Sequence, residues 1–481
     1  MVVRDLNPQG APGPVVAIIG GGASGALAAI ALLNSSVVEQ RPVRVVLIDR
    51  YGRHALGQAY STTHPQHLLN SPAEQMSAIS GDPKHLIRWA EAAEQDTSGF
   101  MPRQVYGRYL RETLSQSAHD AWPLSELKLR TCEVVAIRRD GGRRLDLVTA
   151  PGGRIAADVA ILATGSLPPE LPFPVPASPR IIADPWAPGA LRPVPDGSQV
   201  LVLGTGLTAL DLALSVTGGH PGSTVYAVSR HGLLPRPHRE GEPSGAPVRL
   251  PAVGGEAAEV EPGQLRLSQL ARLVRAVVAA HADDWPLVMD ALRPRVPEFW
   301  QALPVSDQRL FLTRLARYWE VHRHRVPRAT ASRIEGLREP GRLILAIGSV
   351  TSVAVQGDGL RVEIRSGDST TVLTPGWLLN GTGQGTHAAA TADPLLSQLF
   401  ATGLARPDPH GLGIDAHRDG AVLDRSGTPS DSIFTLGPPL RGLWYETTAI
   451  PEIREQAAAL AELITERFIT GAAGQPSRAA S

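Results

Sequence analysis

Two glycine clusters carry the most chemistry in the chain. Gly20-Gly21-Gly22-Ala23-Ser24-Gly25 has the spacing GxGxxG. It follows the apolar run Val15–Ile19 and opens an Ala/Leu-rich stretch, the context that a dinucleotide fingerprint requires. Gly20 permits a tight turn, Gly22 lets a pyrophosphate approach the backbone, and Gly25 allows close helix–strand packing. The helix N-terminus, with Ala23 and Ser24, offers free N–H groups to phosphate. Asp49 lies 24 residues after Gly25, at the end of the next apolar run, placed to accept hydrogen bonds from ribose hydroxyls, with Arg50 beside it. The second cluster, Gly204-Thr205-Gly206-Leu207-Thr208-Ala209, reads GxGxxA, and its following strand ends in Ser229-Arg230. An arginine there accommodates a 2′-phosphate, so this second site favours NADPH, with NADH the alternative.

Elements must position these clusters. Val15–Ile19, a helix over roughly Ser24–Leu33 and Arg44–Ile48 form a βαβ unit with buried strands. Val200–Leu203, Thr208–Val216 and Thr224–Ser229 repeat it. The duplication predicts an α/β protein with two Rossmann-like dinucleotide-binding domains. Between the repeats lie the long loop Arg53–Gly81, helices over Pro83–Glu94 and Gln104–Ser117, and a β region over Leu127–Ile137 and Arg144–Thr149. A buried strand, Val159–Ala163, then ends in Thr164-Gly165, and a Pro-rich linker spans Leu167–Pro179. Residues 233–262 read as loop and 264–326 as a helical insertion. Strands follow over 342–379 with a hairpin turn at Gly357-Asp358-Gly359, then Gly381-Thr382-Gly383, a strand ending at Gly437, and a helix from Pro451 to about Phe468.

Composition excludes whole classes. The chain has 481 residues, with 46 Lys+Arg against 46 Asp+Glu, so the formal charge is zero. That argues against nucleic-acid binding and a polybasic membrane surface. Hydrophobic residues make up 43% and charged residues 19%, as in a chain with a large core. Cys132 is the single cysteine, so there is no internal disulfide, CxxC pair or multi-Cys zinc site. It stands at the start of a strand and reads as inert. Val15–Leu33 is uncharged, but Gly20–Gly22 interrupt it, which argues against both a membrane span and a signal peptide. Residues 1–14 and 471–481 read as a disordered lead-in and a frayed tail. The expectation is a cytoplasmic protein without membrane or nucleic-acid partners; a homo-oligomer is compatible with the sequence.

Two dinucleotide motifs in one chain resemble the flavoproteins with two dinucleotide-binding domains, FAD first and NAD(P) second. Asp158–Gly165 (DVAILATG) and Ser432–Gly437 (SIFTLG) support the likeness. Pro438 stands where many members have an Asp toward the ribityl chain. The loops resemble one bacterial FAD/NAD(P)-binding family that includes FAD-dependent urate hydroxylases and L-aspartate N-monooxygenases. The matching stretches are Gly57–Thr62, His67–Ala73 with Met76-Ser77, Pro102-Arg103 with Tyr106–Leu110, Gly232–His238 and Trp444–Gln456. The resemblance implies a discontinuous FAD domain, 1–174 and 386–481, with an inserted NAD(P) domain, 175–385. It implies flavin or nicotinamide contacts at Tyr60, Asn70, Met76, Ser77, Arg108, Ala163, Thr164, Gly165, Gly383, Gly437 and Thr448. The helix near Pro451 would aim its N-terminus at the flavin edge that gains charge on reduction.

The implied reaction is NADPH-driven hydroxylation of a small nitrogen-containing anion, urate-type or by amino-acid N-hydroxylation. O₂ would add at flavin C4a, and the hydroperoxide would transfer one oxygen. The cofactors carry this chemistry, so no protein nucleophile or metal is needed. The alternatives are a reductase or oxidase without oxygen insertion, and a non-catalytic flavin-binding regulator. An anionic substrate calls for cations in its pocket. The candidates are Arg236, His238, Arg239, His322, His324, Arg325 and Arg441. His322 and His324 are spaced i, i+2, wrong for a helical metal pair. His64 and His67 belong to the family loop and read as packing, and Trp285, Trp300 and Trp319 read as core.

Overall fold

A strand that is apolar at every position needs cover on both faces, and the first five residues of regular structure are of this kind. The computed structural model describes residues 13–139, 144–167, 169–239, 248, 250, 263–281, 284–383, 385 and 388–470. Residues 1–12 of the lead-in, nearly all of 240–262 and the tail from 471 lie outside them. The chain divides into two units. The first comprises Met1–Pro65, Ser71–Leu167 and Thr386–Ser481, and the second Gln66–Asn70 and Pro168–Gly385.

The first unit starts with β1 (Val15–Ile19), α1 (Ala23–Val38) and β2 (Arg44–Asp49), followed by α2 (His85–Ala92) and α3 (Arg103–Ala121). Then come β3 (Glu126–Thr131), β4 (Glu133–Arg139), β5 (Leu145–Ala150), β6 (Gly153–Ala157) and β7 (Val159–Leu162). Within the second unit lie β8 (Ile181–Ile182), β9 (Gln199–Leu203), α4 (Leu207–Gly219) and β10 (Thr224–Ser229). Its inserted helices are α5 (Leu267–Ala280), α6 (Trp285–Leu292), α7 (Val296–Ala302), α8 (Val305–Arg314), α9 (Ala316–Arg323) and α10 (Arg328–Arg338). It closes with β11 (Leu343–Ile347), β12 (Ser349–Gln356), β13 (Gly359–Ser366), β14 (Ser369–Leu373) and β15 (Trp377–Asn380). The chain then returns to the first unit with α11 (Pro394–Thr402), β16 (Ala421–Leu423), β17 (Pro429–Thr435), α12 (Arg441–Trp444) and α13 (Ile450–Ile464).

Each unit is built on one sheet. The first has the order β16-β17-β7-β1-β2-β3, parallel except for the β16–β17 pair. The second has the order β11-β10-β9-β15-β8, parallel throughout. Two antiparallel three-stranded sheets, β4-β5-β6 and β12-β13-β14, accompany them. The architecture is thus α/β with two Rossmann-like halves. Helix α1 is buried on nearly every side and packs against α3 and α13, as a helix apolar all round must.

Three boundaries differ from the pattern-based expectation. α1 runs past Leu33 to Val38, because buried Ser36 satisfies its hydroxyl on Leu33 O at 2.7 Å and accepts from Ser125 at 2.9 Å. The single β region over Leu127–Ile137 is two strands in different sheets, and Cys132 sits between them instead of opening one. The helices continue past residue 326 into α10, which starts directly after Pro327.

Candidate dinucleotide sites and a basic cleft

In the first unit the glycines are fixed by what surrounds them. Gly20 has φ +109°, and a Cβ there would lie 2.1 Å from Ala163 O, so the turn is seated on the end of β7 at Ala163-Thr164. A Cβ on Gly25 would lie 1.9 Å from Gly20 O and 3.1 Å from Leu47. That is the close helix–strand approach expected of this position. Gly22 faces Gly57, whose own Cβ would lie 2.8 Å from Gly22 Cα, and Ala55 N–H donates to Gly21 O at 2.7 Å. The family loop therefore folds back onto the turn. α1 begins at Gly22 with no side-chain cap, leaving its first N–H groups to an anion. Asp49 Oδ1 accepts from the N–H groups of Tyr51 and Arg53, at 2.9 and 2.8 Å, which fixes the carboxylate beside the turn. Arg50 is half exposed and pairs with Glu133 at 3.7 Å.

The far wall of this site is equally ordered. Gly437, at φ +74°, lies where a Cβ would meet Ser24 Oγ at 2.8 Å. Its N–H donates to Gln456 (2.8 Å), its carbonyl accepts from Thr447 (3.0 Å), and Gln456 donates to Thr447 (2.7 Å). These bonds hold the start of α13, which has no side-chain cap, with Thr448 just before it. Gly165, at φ +75°, has open space around it. Met76 and Ser77 are buried, and Arg454 donates to Ser77 O at 3.1 Å. Tyr60, Tyr106 and Tyr109 form an aromatic cluster with ring centroids 4.8 and 5.5 Å apart. Burial pushes the Tyr60 phenol up to about 12, and the fully buried Tyr106 hydroxyl has no hydrogen-bond partner among the described residues. Arg108 is exposed, its guanidinium 5.3 Å from the Trp89 ring centroid. The uncapped helix, the fixed acid and the orphaned buried hydroxyl fit a bound dinucleotide.

The second unit repeats the arrangement with more room. Gly204 has φ +102°, and a Cβ would lie 2.6 Å from Gly381 O, so this turn is seated on Gly381-Thr382 at the end of β15. Gly206 is exposed and faces open space, as does Gly383. α4 also starts without a side-chain cap, with Thr208 in its first turn. Asn380 is buried, and its Nδ2 has no hydrogen-bond partner among the described residues. Thr205 Oγ1 bonds Ser229 Oγ at 2.9 Å and donates to Leu233 O at 2.6 Å, tying the end of β10 to the turn. Arg230 is exposed there. Loss of solvent lowers the pKa of adjacent His231, helped by Arg317 and Arg230. Arg317, on α9, and Arg230 thus both act on His231, from positions 87 residues apart.

The substrate candidates separate. Arg236, His238 and Arg239 line a cleft of about 720 Å³ in the second unit, with Trp285, His322 and Arg328. His238 donates from Nε2 to Asn70 O at 2.8 Å, and burial, aided by Arg325, lowers its pKa to about 4. His238 is therefore an uncharged wall and not an anion-binding cation at neutral pH. Asn70 is partitioned with this unit and not with the other flavin candidates. His324 is outside the cleft lining and pairs with Glu320 at 3.0 Å. Arg325 is buried and pairs with Asp290. Arg441 lies in the first unit, 5.4 Å from the Tyr445 ring centroid. His67 is a packing residue: it is buried, 3.1 Å from Asp211 O and 3.0 Å from Ser215 Oγ. Trp300 is buried, and Trp285 and Trp319 are half-buried against the core cluster of the inserted helices. Burial raises the Cys132 thiol pKa, which suits an inert residue. Among the described residues no group of three His, Cys, Asp or Glu could hold a metal, and no helix is long and apolar enough to cross a membrane.

Residues 17–167 match a protein family described as FAD-NAD(P)-binding. No curated protein matches the chain in sequence. Solved structures share its fold over nearly the whole length. Ornithine hydroxylase from Pseudomonas aeruginosa, in its reduced form, aligns with TM-score 0.62 at 14% identity, over 95% of this chain and 99% of that one. Ornithine N-hydroxylase from Kutzneria sp. 744, solved with reduced FAD, NADP⁺ and L-ornithine, aligns with TM-score 0.60 at 17% identity, over 95% and 99%. Thioredoxin reductase from Lactococcus lactis aligns with TM-score 0.51 at 12% identity, over 95% and 98%. At these identities the likeness establishes the two-domain fold.

Proposed function

We propose that the protein is an FAD-dependent, NADPH-using monooxygenase that hydroxylates a small nitrogen-containing anion with O₂. The observation that carries this reading is a pair of uncapped glycine turns, each seated on a Gly- or Ala-Thr-Gly strand end, in a chain with one cysteine. Two dinucleotides can be held, and no dithiol can take electrons from a flavin.

Bound FAD and NADPH supply the electron transfer and oxygen activation. The protein's part is to bind and orient. The amides after Gly20 and Gly22 receive a pyrophosphate, Asp49 a ribose, and the N-terminus of α13 an electron-rich edge. Gly204 and Gly206 serve the second dinucleotide, and Arg230 its 2′-phosphate. The fold is shared with an enzyme solved with reduced FAD, NADP⁺ and L-ornithine, which supports an amine bearing a carboxylate as substrate. The first unit then is the FAD domain, and the second the NAD(P) domain with a helical insertion.

The test is incorporation of heavy-isotope dioxygen, using NADPH and a panel of amino acids and purines. The proposal requires label in a hydroxylated product and falling peroxide release when that substrate is present. Rapid NADPH consumption with artificial acceptors, and no label in any product, would instead identify a reductase.

A further inference from the structure

Beyond its glycine turn, the first unit holds a line of aromatic rings whose outer members are hydrogen-bonded to bases. Tyr60 belongs to the loop folded over Gly22, and its ring centroid lies 4.8 Å from that of Tyr106. Tyr106 lies 5.5 Å from Tyr109, and Tyr109 lies 5.3 Å from Trp89. Rings at these spacings touch, and charge passes readily between them. α3 is pressed on the loop, since a Cβ on Gly107 would lie 2.8 Å from Tyr60 O. Tyr106 and Tyr109 are fully buried and Trp89 is half-buried, so the line runs from the wall of the candidate flavin site toward solvent.

The outer two rings each carry a hydrogen directed at a base. Tyr109 Oη accepts from Ala78 N–H at 2.9 Å and lies 2.8 Å from His85 Nδ1, to which the phenol proton is donated. Trp89 Nε1–H donates to a Glu112 carboxylate oxygen at 2.7 Å. Burial lowers the His85 pKa from 6.5, opposed by Asp82 and aided by Arg88, so at neutral pH the ring is an unprotonated base. Burial raises the Tyr109 pKa, so the phenol keeps its proton. Removing an electron from a phenol or an indole makes its O–H or N–H strongly acidic, and a waiting base lowers the cost of that oxidation. The Tyr106 hydroxyl has no partner among the described residues, so this ring can pass charge but not hold it. Arg108, 5.3 Å from the Trp89 ring centroid, opposes a cation there and favours loss of the indole proton to Glu112.

We propose that Tyr109 and His85 form a one-electron redox site that draws oxidising equivalents from the candidate flavin site through Tyr60 and Tyr106 and hands them to Trp89. The oxidant is an oxygen-derived radical, the class of species that an oxygen-activating site releases when no substrate intercepts it. One electron leaves Tyr109 for that oxidant, the O–H bond breaks, and the proton moves to His85 Nδ1. A neutral phenoxyl radical and an imidazolium result. An electron from Trp89 and the proton from His85 restore the phenol, while the indole proton goes to Glu112. A soluble thiol then returns the electron to Trp89 and is oxidised to a thiyl radical, losing its own proton to water; Glu112 returns the indole proton. The inference rests on the oxygenase reading for the source of the oxidant, and the redox pair is testable without it.

The first arm of the experiment uses pulse radiolysis of the full-length protein, in which azide radicals oxidise tryptophan without any cofactor. A tryptophanyl signal should convert to a tyrosyl signal in a first-order step that is independent of protein concentration and slower in heavy water. Trp89→Phe and Tyr109→Phe should remove the same fraction of that conversion. His85→Gln, which keeps an acceptor but no base, should slow it about a hundredfold or more, the contribution of a positioned base. The second arm illuminates FAD-loaded protein with blue light, which makes the bound flavin a one-electron oxidant. Electron paramagnetic resonance should then show a tyrosyl radical that Tyr109→Phe lacks. Conversion that is equal in wild type and Tyr109→Phe, or unaffected by His85→Gln, overturns the proposal. Where a variant melts early, the wild type decides, because equal rates in light and heavy water also overturn it. Flavin-loaded protein without the Tyr109 radical overturns it too, since the line then does not serve the flavin site, and the oxygenase reading stands. Protein that shows the conversion but binds no FAD sinks the oxygenase reading and leaves the Tyr109–His85 pair.

Discussion

The two glycine turns share a plan and differ in closure. Gly20 and Gly204 both adopt positive φ and both sit on the carbonyl that follows a parallel neighbour strand, Ala163 O and Gly381 O. The first turn is then shut in: Gly57 lies against Gly22, Ala55 bonds Gly21, and Gly25 is pressed on Gly20 O. The second is open, with Gly206 exposed and Ala209 tolerated where the first turn requires glycine. A ligand enclosed by loop, turn and helix leaves slowly, whereas one on an open turn exchanges. The comparison teaches that one fold can hold a resident cofactor at one turn and a consumable one at the other.

The largest effect should come from forcing a methyl group into the closed turn. Gly25→Ala places Cβ against backbone and should destabilise the first unit by about 3 kcal/mol or more, read as loss of bound flavin and a lower Tm. The matching change in the open turn, Ala209→Gly, should cost only about 1 kcal/mol, the ordinary penalty of glycine in a helix. Equal effects at the two positions would erase the comparison.

Next in size is the charge at the open turn. Arg230→Gln should weaken NADPH binding about tenfold and leave NADH unchanged, as loss of one charged hydrogen bond to a 2′-phosphate predicts. Parallel losses for both nucleotides would remove Arg230 from that role.

A pH dependence follows from His238. Its folded pKa, about 4, lies below the ordinary 6.5, so the unfolded chain binds the proton more readily. The contribution is present above pH 6.5 and is lost as pH falls toward 4. The drop in Tm across that window should be smaller in His238→Gln, and an unchanged drop would acquit His238. The smallest effect belongs to Cys132→Ser, which should shift stability by within about 0.5 kcal/mol. A large fall in activity in that variant would restore a role for the thiol.

The turns were legible in the sequence because strand, glycine spacing and helix are contiguous. β1 and β10 begin and end where apolar periodicity places them. What was hidden depends on distant pairing. Leu127–Ile137 reads as one β stretch, yet β3 joins β2 while β4 turns away to β5, a division set by partners and not by local pattern. β16 was missed because it has three residues, and α11 was missed although Asp393 caps it and Pro394 opens it, a start signal that could have found it. Among candidate cations, residue type alone did not separate Arg236, which lines the cleft, from His324, which pairs with Glu320. Trp285 and Arg328 join that cleft only through packing of the inserted helices, and Asn380 reaches the second turn only because β15 pairs with β9.

The most direct test of the account is an anaerobic titration of desalted protein with NADPH, following the visible absorption of the flavin. The account predicts a flavin band that survives desalting, no retained nicotinamide, and complete bleaching by about one equivalent of NADPH, as expected for a two-electron hydride donor. A protein without the band, or a band that neither NADPH nor NADH bleaches, would contradict it.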